Sequence, residues 1–511
     1  MPLDRRHLLT ATVMAACAAK GLRSARAASP APLNAELTAE LTADQRAHHA
    51  LQRLAYGPTP QDAAALHELG PDAWLARWLK AQLQPEPAPL PATFSQQLSD
   101  LEVLRLSQGE LLTRYREATR QRRETQREMA QNPASSSAAR PAMNPVREQI
   151  RPLELQAATA RLLRAHGSPN QLEEVLVEFW FNHFNVFAGK GPVGVLVADY
   201  EARAIRPHVL GRFRDLLGAT AKHPAMLLYL DNAQSVAPGF KPRGGDGAPR
   251  GLNENYAREL MELHTLGVEG GYTQRDVTEL ARILTGWGLK PRSHGDELFD
   301  FDSRRHDHGP KTWLGETLRG RGQQEGEHAL DVLARHPSTA RFVSFKLAQA
   351  FVADEPPPAL VQRLAERFLA TDGDLRAVTR SLIQSPEFWS PEAFQAKFKT
   401  PYQHLLSSLR AVGAPMLPTQ QALNLLQQAG QPLYGAVTPD GYKNTAAAWR
   451  NPEALTQRVQ WATRLAQGRS SDALLATLGP LISERTRDAV RTEAPAAQAA
   501  LLLASPDFMK R

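Results

Sequence analysis

The stretch NENYARELMELHTLG, residues 253–267, combines a clear helical pattern with a dense cluster of polar side chains. At about 100° per residue, its apolar residues fall on one side of a helix: Ala257, Leu260, Met261, Leu263 and, projecting from the same side, His264. Gly267 follows as a typical C-terminal cap. Amphipathic segments recur along the chain, whereas strand-like alternation is scarce. The sequence therefore predicts an all-α, multi-helical globular body with long loops and at most short hairpins.

The opposite side of this helix carries a cluster of polar residues that admits two interpretations. The cluster consists of Glu254, Asn255, Arg258, Glu259 and Glu262. On a solvated face, its charges would form i,i+4 ion pairs that add little stability. On a face turned inward, carboxylates around one arginine would hold displaced pKa values suited to acid–base chemistry or to a bound cation. Glu254, Glu259 and Glu262 would then act as acid, base or cation ligands, and Arg258 would orient an anionic group.

A second polar segment lies upstream, in LEEVLVEFWFNHF at residues 172–184. Glu174 and Glu178 are i,i+4 neighbours, and His183 follows them among aromatic residues. Aromatic side chains around polar groups suit either a sugar-binding cleft or an ordinary core. In a site, His183 would assist proton transfer. The expected substrate contacts are Trp180, Asn253, Asn255 and Tyr256.

Two shorter motifs follow the polar helix. His306, Asp307 and His308 lie in a polar loop, where two imidazoles flanking a carboxylate could bind a divalent metal or shuttle protons. An ordinary solvated loop is the alternative. Thr273 and Asp276 have the spacing of a capping box, which gives Asp276 a sufficient structural role at a helix start.

The first 27 residues have the features of an export signal. Arg5 and Arg6 precede a hydrophobic stretch too short to span a membrane, and Ala25-Arg26-Ala27 is typical of a cleavage site. This arrangement resembles a twin-arginine leader, so we expect a periplasmic or secreted protein. The only cysteine, Cys17, lies in an imperfect lipobox. Lipid attachment at Cys17 is therefore the alternative to cleavage after Ala27.

The net charge of +7 does not indicate a nucleic-acid-binding protein. Five basic side chains and one acidic side chain lie in the expected leader, so the chain after residue 27 carries a net charge of +3. No later segment is apolar enough to span a bilayer. A mature chain without cysteine has neither disulfides nor cysteine-ligated metals. The sequence leaves other cofactors open, and a divalent metal is the one that the 306–308 loop suggests.

Composition divides the chain into four segments: a signal peptide at 1–27, a linker rich in Ala, Pro and Thr at 28–45, a main helical domain at 46–395 that carries the polar segments, and a C-terminal helical subdomain at 396–511. The last two each contain a similar hexapeptide, IQSPEF at 383–388 and LASPDF at 503–508. Both predict a helix start with Ser as N-cap and Pro as the first helical residue.

Several motifs resemble the bacterial domain of unknown function 1800 family (DUF1800). They are WFNHF at 180–184, HPAMLLYLD at 223–231, residues 253–267 and 272–287, and the pairs His306-Asp307 and His336-Pro337. The resemblance covers nearly everything after about residue 48. It implies an exported protein, often encoded beside a sulfatase-like exported partner, and the family has no assigned activity. Phe181 stands where many relatives have a histidine, which argues against a metal site that requires that histidine.

These observations favour an exported envelope or extracellular enzyme, hydrolase-like, that acts on a polysaccharide or similar polymer through carboxylate and histidine chemistry. The alternative is a non-catalytic helical module that binds a polymer or an exported partner. Burial of the polar helix separates the two. An enzyme site needs a buried carboxylate, whereas a binding module would present a shallow, exposed polar surface.

Overall fold

The computed structural model describes residues 40–84, 90–131, 144–241, 251–290 and 295–511. The expected signal peptide, with Arg5, Arg6 and Cys17, and most of the expected linker lie outside these residues. The all-α prediction is confirmed, because the described part of the chain is 64% helical, with 23 α-helices and only four short strands.

The α-helices are short and follow one another closely. In chain order, helices α1 to α23 of the described ranges are Ala43–Arg53, Pro60–Leu69, Pro71–Leu83, Ala92–Ser99, Gln108–Gln131, Arg151–Gly167, Gln171–His183, Val193–Asp199, Phe213–Lys222, Pro224–Tyr229, Asn255–Glu259, Gln274–Ile283, Gln323–Arg335, Pro337–Phe351, Pro358–Ala370, Leu375–Ile383, Pro401–Ala411, Thr419–Gln428, Ala446–Trp449, Pro452–Leu465, Ser471–Leu478, Glu484–Arg491 and Pro495–Ala504. Shorter helical turns lie between them. The π-helical turns are Val146–Ile150, Tyr200–Ile205 and Leu260–Thr265, and the 3-10 turns are Glu102–Leu104, Arg206–His208, Asn232–Gln234, Ser303–Arg305 and Gly479–Leu481.

Threonine side chains set several helix starts. The capping box expected at Thr273 is confirmed: the Asp276 N–H donates to Thr273 Oγ1 (3.3 Å), and the Thr273 N–H donates to Asp276 Oδ2 (2.8 Å). The same device opens three other helices, at Thr42, Thr59 and Thr400. Each box satisfies backbone donors that a helix start would otherwise leave unpaired.

Two helices form the centre of the main core. All eleven residues of α17 (Pro401–Ala411) and nine of the thirteen residues of α7 (Gln171–His183) are buried. A helix without a solvated face belongs in the interior, where every side of it can pack. Both helices also carry polar side chains, and these polar side chains therefore face other protein groups or an internal cavity.

A second, smaller hydrophobic cluster packs α20 (Pro452–Leu465), α21 (Ser471–Leu478) and α23 (Pro495–Ala504) against one another. Most buried apolar residues between Tyr402 and Tyr434 belong instead to the main cluster, and Ala411 belongs to the smaller one. Helix α17 has residues in both clusters, so the C-terminal helices share a continuous core with the rest of the chain. The expected domain boundary between residues 395 and 396 stays a prediction.

The strands form two small antiparallel hairpins. Strand β1 (Trp287–Leu289) pairs with β2 (Phe299–Phe301), and β3 (Lys311–Trp313) pairs with β4 (Glu316–Leu318). The Leu314 N–H at the tip of the second hairpin donates to Asp276 Oδ1 (2.8 Å), which fastens this hairpin to the capping box. Among the described helices, none combines the length and the apolar character needed to cross a membrane.

The polar helix departs from the regular α-helix that its sequence predicts. Helix α11 (Asn255–Glu259) ends after five residues, and the chain continues as the π-helical turn Leu260–Thr265. The wider turn rotates later side chains away from their α-helical directions. Leu263, expected on the apolar side, is therefore half-buried, while His264 is buried as expected. Gly267 ends the segment with a φ of +81°, as its expected role as a cap requires.

The two Ser-Pro hexapeptides are a repeated device, but they do not start helices. Helix α16 (Leu375–Ile383) ends at the first residue of one hexapeptide and α23 at the second residue of the other, and the remaining residues form a single turn that no helix continues. In each turn the serine Oγ accepts a hydrogen bond from the N–H of the phenylalanine three residues later, Phe388 in one and Phe508 in the other. Both rings are fully buried. The prediction of a helix start was wrong because the serine caps only one turn, which anchors the ring.

Candidate functional site

The charged face of α11 lies at the protein surface. The side chain of Arg258 is 39% exposed and that of Glu254 is 33% exposed, with 3.3 Å between Arg258 Nη2 and Glu254 Oε2. Helix α12 (Gln274–Ile283) supplies further partners. Arg258 Nη2 donates to Gln274 Oε1 (2.8 Å), and Thr278 Oγ1 donates to Glu254 Oε1 (2.6 Å). The structure therefore favours the solvated face over an inward cleft for these residues.

Glu259 and Glu262 complete this face and are also half-buried at its edge. Partial burial raises the pKa of Glu259, and the neighbouring Glu262 carboxylate raises it further, while Arg258 opposes both effects. The two carboxylates lie on an open edge of the molecule. Both carboxylates are therefore accessible to water, whereas an enzyme site excludes water around its reacting groups.

His183 lies apart from these carboxylates. It is buried, and its Nε2 lies 3.0 Å from the backbone oxygen of His264, a hydrogen bond that leaves Nδ1 without a partner among the described residues. Burial first, and the positive charge of Lys346 second, hold the pKa of His183 well below its usual range. Burial also lowers the pKa of His264 to about 3. Both rings are thus neutral core histidines, and the expected partnership of His183 with Glu254, Glu259 and Glu262 is not formed.

The residues expected to contact a substrate have structural roles instead. The rings of Trp180 and Tyr256 are each 1% exposed, so a substrate cannot reach them in this structure. The Asn255 N–H donates to Asn253 Oδ1 (2.9 Å), and both asparagine side chains donate to backbone oxygens of residues 230 and 231. These asparagines shape the turn that leads into α11, because amide side chains can replace missing backbone partners there.

Each residue of the 306–308 loop has a protein partner of its own. His306 is buried with Nδ1 2.8 Å from the Thr285 backbone oxygen, and Arg282 Nε donates to Asp307 Oδ2 (2.7 Å). His308 is exposed, with Nε2 2.9 Å from the backbone oxygen of Ser303. Within the described ranges, no three His, Cys, Asp or Glu side chains converge as metal ligands. The metal site at this loop stays a prediction without geometric support.

A deep pocket lies elsewhere, between the two central helices α7 and α17. The pocket has a volume of about 820 Å³, part of which is open to solvent. Six of its lining residues determine its chemistry: Arg161, Glu178, Phe181, Tyr402, Tyr434 and Arg511. A concave site with apolar walls and a few polar groups is the usual form of a ligand or active site.

Glu178 is the acid of this pocket. Glu178 lies on α7, where the residues next to it in sequence are almost entirely apolar and pack into the core. Tyr56 OH donates to Glu178 Oε2 (3.0 Å). Burial raises the pKa of Glu178, although Arg161, Arg511 and the Tyr56 hydrogen bond partly oppose that shift. A half-buried carboxyl with a raised pKa that faces a pocket is typical of a proton-transfer group.

A buried ion pair forms the wall beside Glu178. Arg161 Nη1 donates to Glu201 Oε2 (2.7 Å), with side chains only 6% and 3% exposed. Tyr434 OH donates to the same carboxylate oxygen (3.0 Å). Burial alone would raise the pKa of Glu201, but the charges of Arg161, Arg206 and Arg164 outweigh it and lower that pKa. Glu201 is therefore ionised, in contrast to the raised pKa of Glu178.

Aromatic rings surround the guanidinium of Arg161. Its Cζ lies 5.1 Å from the ring centre of Phe181, 5.6 Å from that of Tyr402 and 5.5 Å from that of Tyr434. Such contacts stabilise a cation that has lost its water. Phe181 thus has a definite role here: its ring holds the arginine in the pocket wall.

The mouth of the pocket is held by two asparagines that follow Phe181. Asn182 Nδ2 donates to the Tyr442 backbone oxygen (2.8 Å) and its Oδ1 accepts from the Tyr442 N–H (2.7 Å). Asn185 Nδ2 donates to the backbone oxygens of Ala436 (3.0 Å) and Thr438 (2.9 Å). Gly441 permits this close approach, since a Cβ at its φ of +66° would lie 2.4 Å from the Asn182 backbone oxygen.

Most of the pocket residues were not singled out from the sequence. Glu178 carried a usable signal, because an acid within an otherwise apolar helix needs a special environment. Arg161, Tyr402, Tyr434 and Arg511 carried none, since each belongs to a different segment and only the tertiary structure brings them together.

The fold and the pocket define a class: a helical protein with a polar pocket between two core helices, in which Glu178 is the only acid among the described lining residues. The chain belongs to the family described as "Protein of unknown function (DUF1800)", whose model matches residues 49–510. No curated protein matches the chain significantly. No solved structure does so either.

Replacing Arg258 at the surface and Arg161 in the pocket wall should change the free energy of unfolding by different amounts. Arg258→Ala should reduce the free energy of unfolding by well under about 1 kcal/mol, as for most exposed ion pairs. Arg161→Ala should cost about 3–5 kcal/mol, because it leaves Glu201 buried without its closest counter-charge. Part of that loss should be recovered at low pH, where Glu201 takes up a proton. Urea unfolding of both variants across pH measures these values, and equal losses would contradict the assignment of surface and core.

The raised pKa of Glu178 predicts a specific dependence of stability on pH. Because the folded state binds the Glu178 proton more tightly than the unfolded state does, its stabilising contribution is complete below the unfolded pKa of about 4.3. That contribution is lost as pH rises from there through the raised folded pKa. Glu178→Gln keeps the shape and the Tyr56 hydrogen bond but does not titrate. The melting temperature of the wild type relative to Glu178→Gln should therefore fall with rising pH, and a rise would exclude the raised pKa.

Proposed function

We propose that this protein is an exported, hydrolase-like enzyme that uses the carboxyl group of Glu178 to transfer a proton. The observation that carries the proposal is the position of Glu178: its carboxyl lines a pocket, accepts a hydrogen bond from Tyr56 and has a pKa raised by burial. The proposed chemistry is that of a carboxylate on the central helix α7, and not of the carboxylates at the surface of α11.

Hydrolysis of an ether-like or ester-like bond fits a protonated carboxyl. Glu178 would give its proton to the leaving oxygen as the bond to that oxygen breaks. A water molecule would form the new bond, and the proton that it releases would return to the Glu178 carboxylate. While ionised, this carboxylate would be stabilised by the Tyr56 hydroxyl and by the charges of Arg161 and Arg511.

The shape of the pocket restricts what can enter it. Its volume of about 820 Å³, part of it open to solvent, is within the range of pockets that bind a small ligand or one unit of a polymer. Phe179, Phe351 and Tyr402 add aromatic surface of the kind that packs against sugar rings. The proposed substrate is accordingly a polysaccharide or similar polymer, or a fragment of one.

One observation favours a second candidate, a non-catalytic module that binds such a polymer or an exported partner. Among the described residues that line the pocket, Glu178 is the only carboxylic acid. Glycoside hydrolysis commonly uses two carboxyl groups on opposite sides of the bond. A pocket with one acid would bind a ligand without cleaving it if no other group activates water.

Export and location belong to the proposal as well. The leader motif with Arg5 and Arg6 and the family resemblance support a periplasmic or secreted protein, with a sulfatase-like exported protein as a proposed partner. Lipid attachment at Cys17 is the less favoured form.

Replacing Glu178 should separate catalysis from folding. In Glu178→Gln, release of reducing ends from a panel of neutral and acidic polysaccharide fragments should fall at least about 10²-fold, the scale of general acid catalysis. Circular dichroism should stay unchanged, because glutamine preserves the shape. Glu316→Gln is the matched control, since that side chain is 51% exposed on the second hairpin and should retain full activity.

The opposite outcomes identify the alternatives. Loss of activity in Glu262→Gln with full activity in Glu178→Gln would return the site to α11. Wild-type protein that binds fragments without cleaving any of them would establish the binding module.

Export should depend on the guanidinium groups of Arg5 and Arg6. Their joint replacement by lysine keeps the charge, yet it should leave the precursor in the cytoplasm, because the twin-arginine route distinguishes the pair from lysines. Cell fractionation with mass spectrometry of the exported form should give a start near Ala28. Unchanged export would indicate the general secretory route, and an acylated Cys17 would indicate a lipoprotein.

A further inference from the structure

Helix α5 (Gln108–Gln131) is anchored in the core at its start and lies on the surface at its end. All five of its buried residues lie at or before Ala118. Of the residues that follow, only Thr119 and Thr125 are half-buried, and the others are exposed. From the α-helical rise per residue, this second half is about 20 Å long. The C-terminal half of α5 therefore presents its side chains to solvent.

Four arginines share one face of this helix: Arg116, Arg120, Arg123 and Arg127. On a helical wheel they fall within an arc of about 60°, and all four are exposed. They also line one depression of about 840 Å³, part of which is open to solvent. We call this surface the arginine face. Its four guanidinium groups lie along the same open space, where a partner in solution can reach them.

The acids of the same segment lie beside the arginine face and not on it. Glu117, Glu124 and Glu128 fall within an arc that begins about 40° beyond Arg120. Arg120, the arginine nearest to this arc, accordingly pairs with Glu124, with 3.7 Å between Arg120 Nε and Glu124 Oε1. The other three arginines form no ion pair within the described ranges. The charge of the arginine face is therefore compensated at one edge only.

This separation of charge does not stabilise the helix itself. Arg116 and Arg120 are i,i+4 neighbours, as are Arg123 and Arg127, and like charges at that spacing repel each other and weaken a helix. Opposite charges in the same positions would stabilise it. The helix forms nonetheless, because arginine, glutamate and glutamine are good helix formers. A partner that carries negative charge would remove the repulsion.

The composition of the exposed half argues against two classes of anionic partner. A helix that binds a lipid surface needs a broad apolar face, and the apolar residues of 116–131 are only two alanines and one methionine. Proteins that bind single-stranded nucleic acid stack its bases on aromatic rings, and residues 116–131 include no aromatic residue. The partner is therefore expected to bind through its charges alone.

The width of the arginine face argues against a third class. Duplex DNA is broad, and it carries one charge for about every 1.7 Å of its axis. A duplex laid on α5 would bring phosphates against Glu117, Glu124 and Glu128 as well as against the arginines. A single narrow chain, in contrast, fits along the arginine face without meeting these carboxylates.

We propose that the arginine face binds a linear acidic polysaccharide, whose carboxylate or sulfate groups accept hydrogen bonds from the guanidinium groups. The planar fork of donors on arginine matches both kinds of oxyanion. The pocket that contains Glu178 is lined by other segments of the chain. The inference thus goes beyond the proposed function and does not depend on it.

Fluorescence anisotropy of the full-length protein with labelled polygalacturonate, dextran sulfate and uncharged dextran of matched length tests the proposal. The wild type should bind at least one acidic polymer at least about tenfold more tightly than dextran. That affinity should decrease as the salt concentration rises, because each contact releases counterions from the polymer. No preference for either acidic polymer over dextran would overturn the proposal.

Three further probes test the other classes of partner: single-stranded DNA, duplex DNA and vesicles of phosphatidylcholine with phosphatidylglycerol. Each should bind more weakly than the better of the two acidic polysaccharides, for the reasons of composition and width given above. Tighter binding of any of these three probes would overturn the proposal in favour of that class.

Two arginines that are adjacent in sequence provide a matched pair of variants. Arg123 belongs to the arginine face, whereas Arg122 is also exposed but lies about 100° away on the helix. Arg123→Gln should weaken binding of the acidic polymer about threefold, the scale of one exposed charge contact. Arg122→Gln should leave the affinity unchanged. Equal losses in the two variants would show that net charge alone determines binding, which would refute the assignment to this face.

Joint replacement of the four arginines by glutamine should remove the preference for acidic polymers over dextran. Glutamine is also a good helix former, so circular dichroism should stay unchanged. A folded quadruple variant that binds the acidic polymer like the wild type would overturn the proposal.

Glu178→Gln separates this inference from the proposed function. The variant should bind the acidic polymer with wild-type affinity, because Glu178 lies outside the arginine face. Loss of polymer binding in Glu178→Gln, with wild-type binding in the quadruple variant, would place the anion in the pocket and overturn the inference. Retained hydrolysis in Glu178→Gln would contradict the proposed function alone.

Discussion

Arg161 and Glu201 bring opposite charges into a core that excludes water, at a cost of several kcal/mol for each ion. Their direct contact of 2.7 Å, the Tyr434 hydroxyl and the three rings around the guanidinium offset that cost. The arrangement joins α6, α7, α17 and the turn before Tyr434 at one point. Because one wall of the pocket is held rigidly in this way, Glu178 can face a cavity and not a collapsed core. Burial raises the pKa of Glu178, and the positive charge of Arg161 partly opposes that shift.

Local structure was largely predictable because it depends on neighbours in sequence. The capping box at Thr273 and the positive φ of Gly267 follow from hydrogen-bonding needs that a few residues satisfy among themselves. The all-α class follows from periodicity in the same way. The π-helical turn at Leu260–Thr265 was not predictable, since no local pattern there distinguishes it from an α-helix. It depends on how His264 packs against the aromatic residues around His183.

The site was harder to predict than the fold for a physical reason. Polar residues cluster in sequence where a helix faces water, and the polar side chains of residues 253–262 accordingly lie at or near the surface. An interior site needs few polar groups and many apolar ones, and it takes each polar group from a different segment. Glu178 and Arg161 therefore stand alone in apolar surroundings in the sequence, and Arg511 lies far from both. The family match to residues 49–510 covers all of them but Arg511.

The distribution of the pocket over the chain has a consequence for how the protein folds. Tyr56, Arg161 and Glu178 are synthesised long before Tyr402 and Tyr434. Until these two tyrosines are added, the guanidinium of Arg161 lacks two of the rings that cover it. An incomplete chain has only the Arg161 side of the pocket, and it can misfold during this interval. A ligand that fits only the completed pocket would contact distant parts of the sequence at once. Its binding would shift the folding equilibrium toward the native state.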